Sequence, residues 1–557
     1  MPSDAPFPTF LGLDLSTQQI KAVLLDEQSN VVHEAAVNFD RDLPHYGTTS
    51  GAIKGPGTGE VTSPVRMFLE AIDLLFQRLK DDGVVFDTIA AISGAGQQHG
   101  SVYWSEQAEQ LLSKLDPAQT LADQLFPAAF SWDKAPIWQD SSTTEDCNIL
   151  EKEFGGAQKL ADCTGSRAYE RFTGSQISKL RRLQPEIYNA TSRVSLISSF
   201  IPSVFLGHIA PIEISDASGM NLMDVLTCKW DDRLLEICGG PELRTKLGPE
   251  PVPGGISLGK VDSWWVKKWG LSPECLIAPF TGDNPATVVS LSAPGDALLS
   301  LGTSTTFLLS IPPSDRPPKR FTTSHLLAHP AHLDSQIAML CYKNGALARE
   351  HVRDTYADKH WHIFNELIES TPPGCDGITG FYFPLPEIIP PNVTGEFFFT
   401  TNLIKTTVNP PVPLTDNIPP SIHPRAIMES QFLSIRSRIA AILPENSPHL
   451  RRLVISGGSS ANPTIRQLAA DIFDMDVYVS ATKEAAASGG ALLAKFAWWR
   501  QTHPDGSFED MIGGEAMGLE CVARPRKDVT PIYDGLVDVY AACEAQVVEA
   551  WNSQNKA

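Results

Sequence analysis

The segment FLGLDLSTQQIKAVLLD, Phe10 to Asp26, constrains the fold most, because it sets a carboxylate inside an apolar run. Phe10, Leu11, Leu13 and Leu15 form one short strand and Ile20 to Leu25 another, with STQQ between them, the pattern of a tight hairpin. An acid on a buried strand is costly unless it is paired, hydrated or close to a cation. On this segment alone, a surface hairpin with Asp14 in water and a buried hairpin with Asp14 facing a ligand are equally good readings. A second segment, GDALLSLGTSTTFLLS from Gly295 to Ser310, repeats the layout of strand, small and hydroxyl-rich turn, strand.

A further unit follows each hairpin. FDTIAAISGAGQQHGSVYW reads as a strand that stops at a glycine-rich turn and resumes, and RRLVISGGSSANPTIRQLAADIFDMDVYV as strand, Gly-Gly turn, helix and strand. Asn462-Pro463 caps the helix in the second of these. Between the first hairpin and its partner, VRMFLEAIDLLFQRLK places Val65, Phe68, Leu69, Ile72, Leu75, Phe76 and Leu79 on one helical stripe, with Ser63-Pro64 as its expected N-cap and first residue. This is a two-domain internal repeat. The 557-residue length demands at least two cores. The boundary is expected near Leu291, giving domains 1–291 and 292–557. The Pro-rich stretches IPPSDRPPKR, PLPEIIPP and NPPVPLTDNIPPSIHP read as loops, and the tail after about Gln501 as a peripheral helix or two.

The net charge of -21 argues against a general nucleic-acid surface, which needs a basic face. An anionic ligand could bind only where backbone N–H groups, a local cation or a metal reverses that field. The nine scattered cysteines, without a C-x-x-C pair, read as reduced thiols. No basic-then-apolar leader opens the chain, and no run approaches the roughly 18 apolar residues of a membrane span. A cytoplasmic protein, a monomer or homodimer without nucleic-acid or membrane partners, is expected.

Three apparent motifs fail. GGISLGKV has Val261 where a Walker loop needs Ser or Thr, and GAGQQHG has His99 in the third glycine position of a dinucleotide fingerprint. Pro330 breaks the helix that would align His325, His329 and His332 for zinc. The two hairpin turns are better candidates. LGTSTT and DLSTQQ both offer backbone N–H groups and hydroxyls, and facing each other across a cleft they would surround a polyphosphate. Asp14 would then stand where Mg²⁺ or its waters need an oxygen ligand. A second acid, Asp283, ends an apolar stretch in APFTGDNPATVVS; by itself it reads as a plain turn.

The order GLDLSTQQIKAVLLD, GAGQQHGSVYW, FSWDKAPIWQDSST, SRAYERFTGSQISKL, FTGDNPATVVS, LSLGTSTTFLLS and ISGGSSANPTIRQLAADIF resembles the FGGY carbohydrate kinases, from about Phe10 to about Trp499. Within them it is similar to the eukaryotic kinases of D-xylulose. The resemblance implies an α/β protein with the two-domain actin-like ATPase (ribonuclease H-like) fold, each domain a mixed sheet flanked by helices, with ligands in the inter-domain cleft. It implies ATP as donor with Mg²⁺, and D-xylulose converted to D-xylulose 5-phosphate for the pentose phosphate pathway. QQHG resembles the sugar-contacting QMHG of bacterial relatives, so Gln98, His99 and Gly100 are implied in the ketose pocket, Gln98 standing where those have Met. Arg171, Asp283 and Asn284 match sugar-binding positions, and Asp283 matches the catalytic base. Asp14, Ser16, Thr17, Gly302 and Thr303 match the phosphate hairpins, with Mg²⁺ at Asp14 directly or through water. Gly457, Gly458, Ser459 and Asn462 match the adenosine motif, and Trp361 a nucleotide contact. Without the resemblance, His99 reads as a buried histidine satisfied by backbone, Arg171 as an ion-pair partner and Trp361 as core packing. The alternatives are a kinase for another ketose or polyol, an actin- or chaperone-like ATPase without a sugar substrate, and a sugar-sensing binding protein.

Overall fold

In the computed structural model, which describes residues 7–400, 411–414, 418–482, 484–513 and 518–554, the opening hairpin forms from β1 (Thr9–Leu15) and β2 (Gln19–Leu25). The strands are antiparallel with Asp14 opposite Lys21. Phe10, Leu11, Leu13 and Leu15 are fully buried, so β1 is covered on both faces and is not a surface strand. β3 (Val31–Asn38) continues the meander, and β4 (Ile89–Gly96) lies parallel to β1 on its other side, with Ala95 beside Asp14. The sheet extends through β6 (Leu276–Ile277) to β5 (Gly259–Lys260), and β7 (Thr281–Gly282) pairs with the end of β4. One face is covered by the helix Val65–Asp81, whose seven expected core positions are all buried. Ser63 is not its cap, as the sequence reading had it. Strand Val61–Pro64 runs straight into the helix, Pro64 takes the N-cap position, and the Ser63 hydroxyl donates to the Gly51 carbonyl at 2.8 Å.

The chain divides into two compact units, one of Met1–Ala293, Leu326–Ile337 and Thr482–Ala516, the other of Pro294–His325, Ala338–Ala481 and Met517–Ala557. The helix Ala485–Trp499 therefore belongs with the first sheet, whereas the sequence-based division put it in the second domain. Small residues are the reason. A Cβ on Gly12 of β1 would lie 1.9 Å from the Ala487 carbonyl oxygen, and one on Gly490 would lie 2.3 Å from the Gly94 Cα, so this helix sits almost on the strand backbones.

The sheet of the second unit contains, in order, β9 (Thr305–Ser310), β8 (Ala297–Leu301), β10 (Arg452–Ser456), β11 (Asp476–Ser480) and β12 (Leu519–Ala523). β8 and β9 are the second hairpin, and β10 is parallel to β8 as β4 is to β1. Asn462 caps the helix Pro463–Phe473 as expected, accepting from Thr464 N at 3.0 Å and Ile465 N at 3.4 Å. The tail supplies the helix Thr530–Gln554, but also β12, which the sequence reading missed because its five residues show no alternation of apolar and polar side chains. Parts of the Pro-rich stretch from Asn409 to Pro424 lie outside the described residues. Among the described residues, no helix is long and apolar enough to cross a membrane.

Candidate active site

Asp14 is the penultimate residue of β1 and is 3% exposed. Its Oδ2 accepts from the Ser16 hydroxyl at 2.5 Å, while Oδ1 is buried without a hydrogen-bond partner among the described residues. Lys21 Nζ stands 3.8 Å from Oδ2 but 2.5 Å from Glu484 Oε2, so most of its attraction is taken by Glu484. Burial raises the Asp14 pKa and outweighs the Ser16 hydrogen bond and the Lys21 charge. An orphaned carboxylate oxygen at the mouth of a strand is a costly feature in a chain that has no ligand for it. Thr17, in the turn, donates to Gln97 Oε1 at 3.2 Å and accepts from the Trp138 indole at 2.8 Å.

Asp283 opens the helix Asp283–Leu291 directly after β7, where the sequence alone suggested a turn. Its Oδ1 accepts from the Asn284 backbone N–H at 2.9 Å and from Asn284 Nδ2 at 3.2 Å. The same Nδ2 donates to Gln98 Oε1 at 2.8 Å, which ties the acid to the QQHG turn. The residue keeps some solvent contact although protein surrounds most of its carboxyl. Its pKa is pushed up to about 7, first by burial and then by the negative charge of Asp14, against the backbone hydrogen bonds from Asn284 and Gln98. A helix N-terminus normally favours ionised carboxylate, so the upward displacement shows how strongly this environment opposes a second negative charge.

Around these acids lie the remaining expected sugar contacts of the first unit. His99 has a left-handed backbone (φ 71°), its Nδ1–H donates to the Gly219 carbonyl at 3.0 Å, and its ring stacks on Phe172 at 4.5 Å. Burial, and then the charge of Arg171, lowers its pKa to about 3. The ring is therefore neutral at physiological pH and leaves Nε2 as an acceptor. Arg171 rests over Tyr169 and Phe172, 4.8 and 5.6 Å from the ring centroids. The buried Gln98 side chain also hydrogen-bonds Asp216, and Gly100 has no room for a Cβ, which would meet Ile197 Cδ1 at 2.5 Å. Gln98, His99, Gly100, Arg171, Asp283 and Asn284 thus form one constellation.

Sequence reasoning missed two acids of this region. Asp216 accepts from the Ser198 hydroxyl at 2.6 Å, and burial pushes its pKa up to about 7 against the hydrogen bonds of Ser198 and the Gln98 side chain. Glu213 accepts from the N–H groups of Ser215 and Asp216 and from the Thr281 hydroxyl at 2.6 Å, and burial pushes it up to about 8. The available signal was EISDASG, two acids spaced among small residues, which only their complete burial makes unusual.

In the second unit, Gly302 and Thr303 lie in the exposed turn between β8 and β9, where the Thr303 carbonyl accepts from Ala346 N at 3.2 Å. Gly457 packs against this turn. Its φ is +86°, and a Cβ would lie 2.6 Å from the Leu301 carbonyl carbon and 2.8 Å from Gly302 N. Gly458 and Ser459 follow in a short 3₁₀ turn, and the Asn462 amide donates to Asn365 Oδ1 at 2.7 Å. Gly302, Thr303, Gly457, Gly458, Ser459 and Asn462 are therefore neighbours. Trp361 begins the helix that carries Asn365, but its ring is engaged by Arg353 at 4.8 Å and by Phe364 at 5.2 Å. Among the described residues, no three His, Cys, Asp or Glu side chains gather as a metal-binding group.

Models of the FGGY family of carbohydrate kinases match this chain twice, the N-terminal domain over residues 132–290 and the C-terminal domain over residues 297–498. A protein of Aspergillus flavus named "Probable D-xylulose kinase A" is 42% identical over 572 residues, covering 97% of this chain and 98% of that protein. Among solved structures, a xylulose kinase from Rhodospirillum rubrum has a TM-score of 0.77 at 17% identity, covering 98% of this chain and 100% of that one. A gluconate kinase from Lactobacillus acidophilus has a TM-score of 0.76 at 16% identity, with the same coverage of 98% and 100%. At such identities the structures establish the fold, the two-domain actin-like ATPase architecture, and leave the substrate to other arguments. The chain belongs to the FGGY family of carbohydrate kinases.

Proposed function

We propose that this enzyme transfers the γ-phosphoryl group of ATP to the terminal hydroxyl of D-xylulose, giving D-xylulose 5-phosphate and ADP. The observation that carries the chemistry is Asp283, a carboxyl poised at about 7 and influenced directly by Asp14. Such a group is ionised often enough near neutral pH to accept a proton and basic enough to hold it. The name of the Aspergillus flavus relative, at 42% identity over nearly the whole chain, supports the choice of sugar.

In this reading Asp283 takes the hydroxyl proton as the sugar oxygen bonds to the γ-phosphorus and the bond to the ADP oxygen breaks. Asn284 and the Gln98 backbone hold the carboxylate in place. The Gln98 side chain donates to the ketose, neutral His99 accepts from one of its hydroxyls, Arg171 supplies a charged donor, and Gly100 lets Ile197 pack against the turn. The N–H groups around Ser16, Thr17, Gly302 and Thr303 bind phosphate oxygens. Gly457, Gly458, Ser459 and Asn462 bind adenosine, with Trp361 as a more distant contact. Asp14 fits a magnesium ion, because its buried Oδ1 has no other partner among the described residues. It would hold Mg²⁺ directly or through water, the other ligands coming from phosphate and solvent. Bound Mg²⁺ supplies neutralisation of phosphate charge. The nine cysteines are scattered along the sequence without a C-x-x-C pair, which supports a reducing, cytoplasmic location.

The test is ADP release with D-xylulose, L-xylulose, ribulose, glycerol and no sugar. D-Xylulose should give the highest kcat/KM. A higher value with another ketose or polyol would reassign the substrate, and ATP hydrolysis indifferent to every sugar would replace the kinase reading with that of a nucleotide-driven switch.

A further inference from the structure

Arg349 is a fully buried cation that makes no ion pair with a carboxylate among the described residues; the acid that acts on it, Glu350, is exposed to solvent. It lies on the helix Gly345–Tyr356 of the second unit with 0% exposure, and burial lowers its pKa only to about 10, so it stays charged at neutral pH. The buried Arg425 and the half-buried Arg438 of this unit each have an acid, Glu429 at 2.7 Å and Glu544 at 2.6 Å. The Arg349 guanidinium instead donates only to neutral oxygens: Thr305 Oγ1 at 3.2 Å, Gln431 Oε1 at 2.9 Å and Ser459 Oγ at 3.4 Å. Its Nε has no partner among the described residues. A buried charge normally carries an opposite charge beside it, because desolvation is otherwise uncompensated.

The placement of its partners is informative. Thr305 begins β9, immediately after the Gly302–Ser304 turn, and Ser459 follows the Gly457-Gly458 turn. On one side these turns touch directly, through Gly457 against Leu301 and Gly302, and on the other the guanidinium bridges them. The helix carrying Arg349 is seated just as closely, since a Cβ on Gly345 would lie 2.1 Å from Thr305 Oγ1.

We infer that Arg349 is a positioning residue for the nucleotide: it fixes the hairpin turn against the glycine turn and lends the pair a positive charge that the phosphates of a nucleoside triphosphate complete. This rests on the reading above that the two turns hold ATP. The missing counter-ion is then the substrate, and an internal acid at this point would repel it.

The experiment compares ATP, ADP and adenosine binding by isothermal titration, with steady-state kinetics, in wild type, Arg349→Gln and Arg349→Lys. Arg349→Gln should weaken ATP about tenfold or more, ADP less, and adenosine by no more than about twofold, since loss of a charge is felt in proportion to the phosphates present. KM for ATP should rise while KM for D-xylulose stays unchanged. Arg349→Lys keeps the charge but cannot bridge three acceptors with a planar fork, so it should weaken ATP by about threefold and again spare adenosine. Equal losses for ATP and adenosine, or unchanged ATP binding in the variants, would overturn the inference. If Arg349→Gln does not fold by circular dichroism, Arg349→Lys decides by the same comparison. A wild type that binds ATP but phosphorylates no sugar removes the substrate reading alone; a wild type that binds ATP no better than its folded variants removes the Arg349 inference alone.

Discussion

Asp14 and Ser300 occupy matching places in two hairpins, one in each unit. Each is the penultimate residue of a first strand. Asp14 faces Lys21 across the hairpin and Ala95 on the parallel neighbour, whereas Ser300 faces Thr306 and Ser456. The backbone device is the same and the charges are opposite. In the first unit, burial raises the pKa values of Asp14, Glu213, Asp216 and Asp283. At the turn of the second hairpin, the buried charge is Arg349, while the buried Asp296 at its base is paired with Arg452 at 2.6 Å. In the proposed function the repeated fold separates the work by side chain. Acids suit proton removal and a metal ion, and a cation with exposed N–H groups suits a polyanion.

The comparison can be broken most forcefully at Asp283. Asp283→Asn should lower kcat by about 10²–10⁴, the usual worth of a general base, with D-xylulose binding retained by titration. Near-normal turnover would remove the base from the first unit. Asp14→Asn should follow with a loss of about 10² in kcat, partly recovered at high Mg²⁺ concentration, since one charged ligand of the phosphate array is gone. Ser300→Asp would make the second hairpin resemble the first. It should raise KM for ATP about tenfold through like-charge repulsion and leave KM for D-xylulose unchanged. An unaffected KM would mean that the charge of the second hairpin is immaterial.

The smallest effects concern pH. In the proposed role of base Asp283 accepts a proton only when ionised, so kcat/KM should rise with pH to a plateau, half-maximal near 7. The raised pKa of Asp216 has a separate consequence for stability. Its folded-state value, about 7, lies above the ordinary carboxyl value of 3.8. The stabilisation of its protonated form is complete below about 4 and is lost as pH rises through about 7. Asp216→Asn should therefore melt at a higher temperature than wild type at pH 8, and the difference should vanish by pH 4. A melting difference of the same size at both pH values would show that Asp216 is not held protonated by burial.

Legibility followed distance along the chain. Both hairpins, the buried stripe of the helix Val65–Asp81 and the Asn462 cap were readable, because strand alternation, helical period and capping act over a few residues. The near miss at Ser63 is instructive. The residue has the right chemistry for a cap, but the Gly51 carbonyl twelve positions away claims its hydroxyl. β12 and the first-unit place of the helix Ala485–Trp499 were hidden for the same reason, since each depends on a partner strand from a distant part of the chain.

By itself the sequence determined the doubled hairpin plan, the order of motifs that marks the family, and the presence of Asp14 and Asp283. Only the tertiary structure decided what those acids experience. Burial, the Asp14 oxygen that has no partner among the described residues, and the neutral acceptors around Arg349 are properties of surroundings assembled from remote segments. Electrostatic energies depend on what surrounds a charge as much as on the charge itself, and no local pattern of residues records those surroundings.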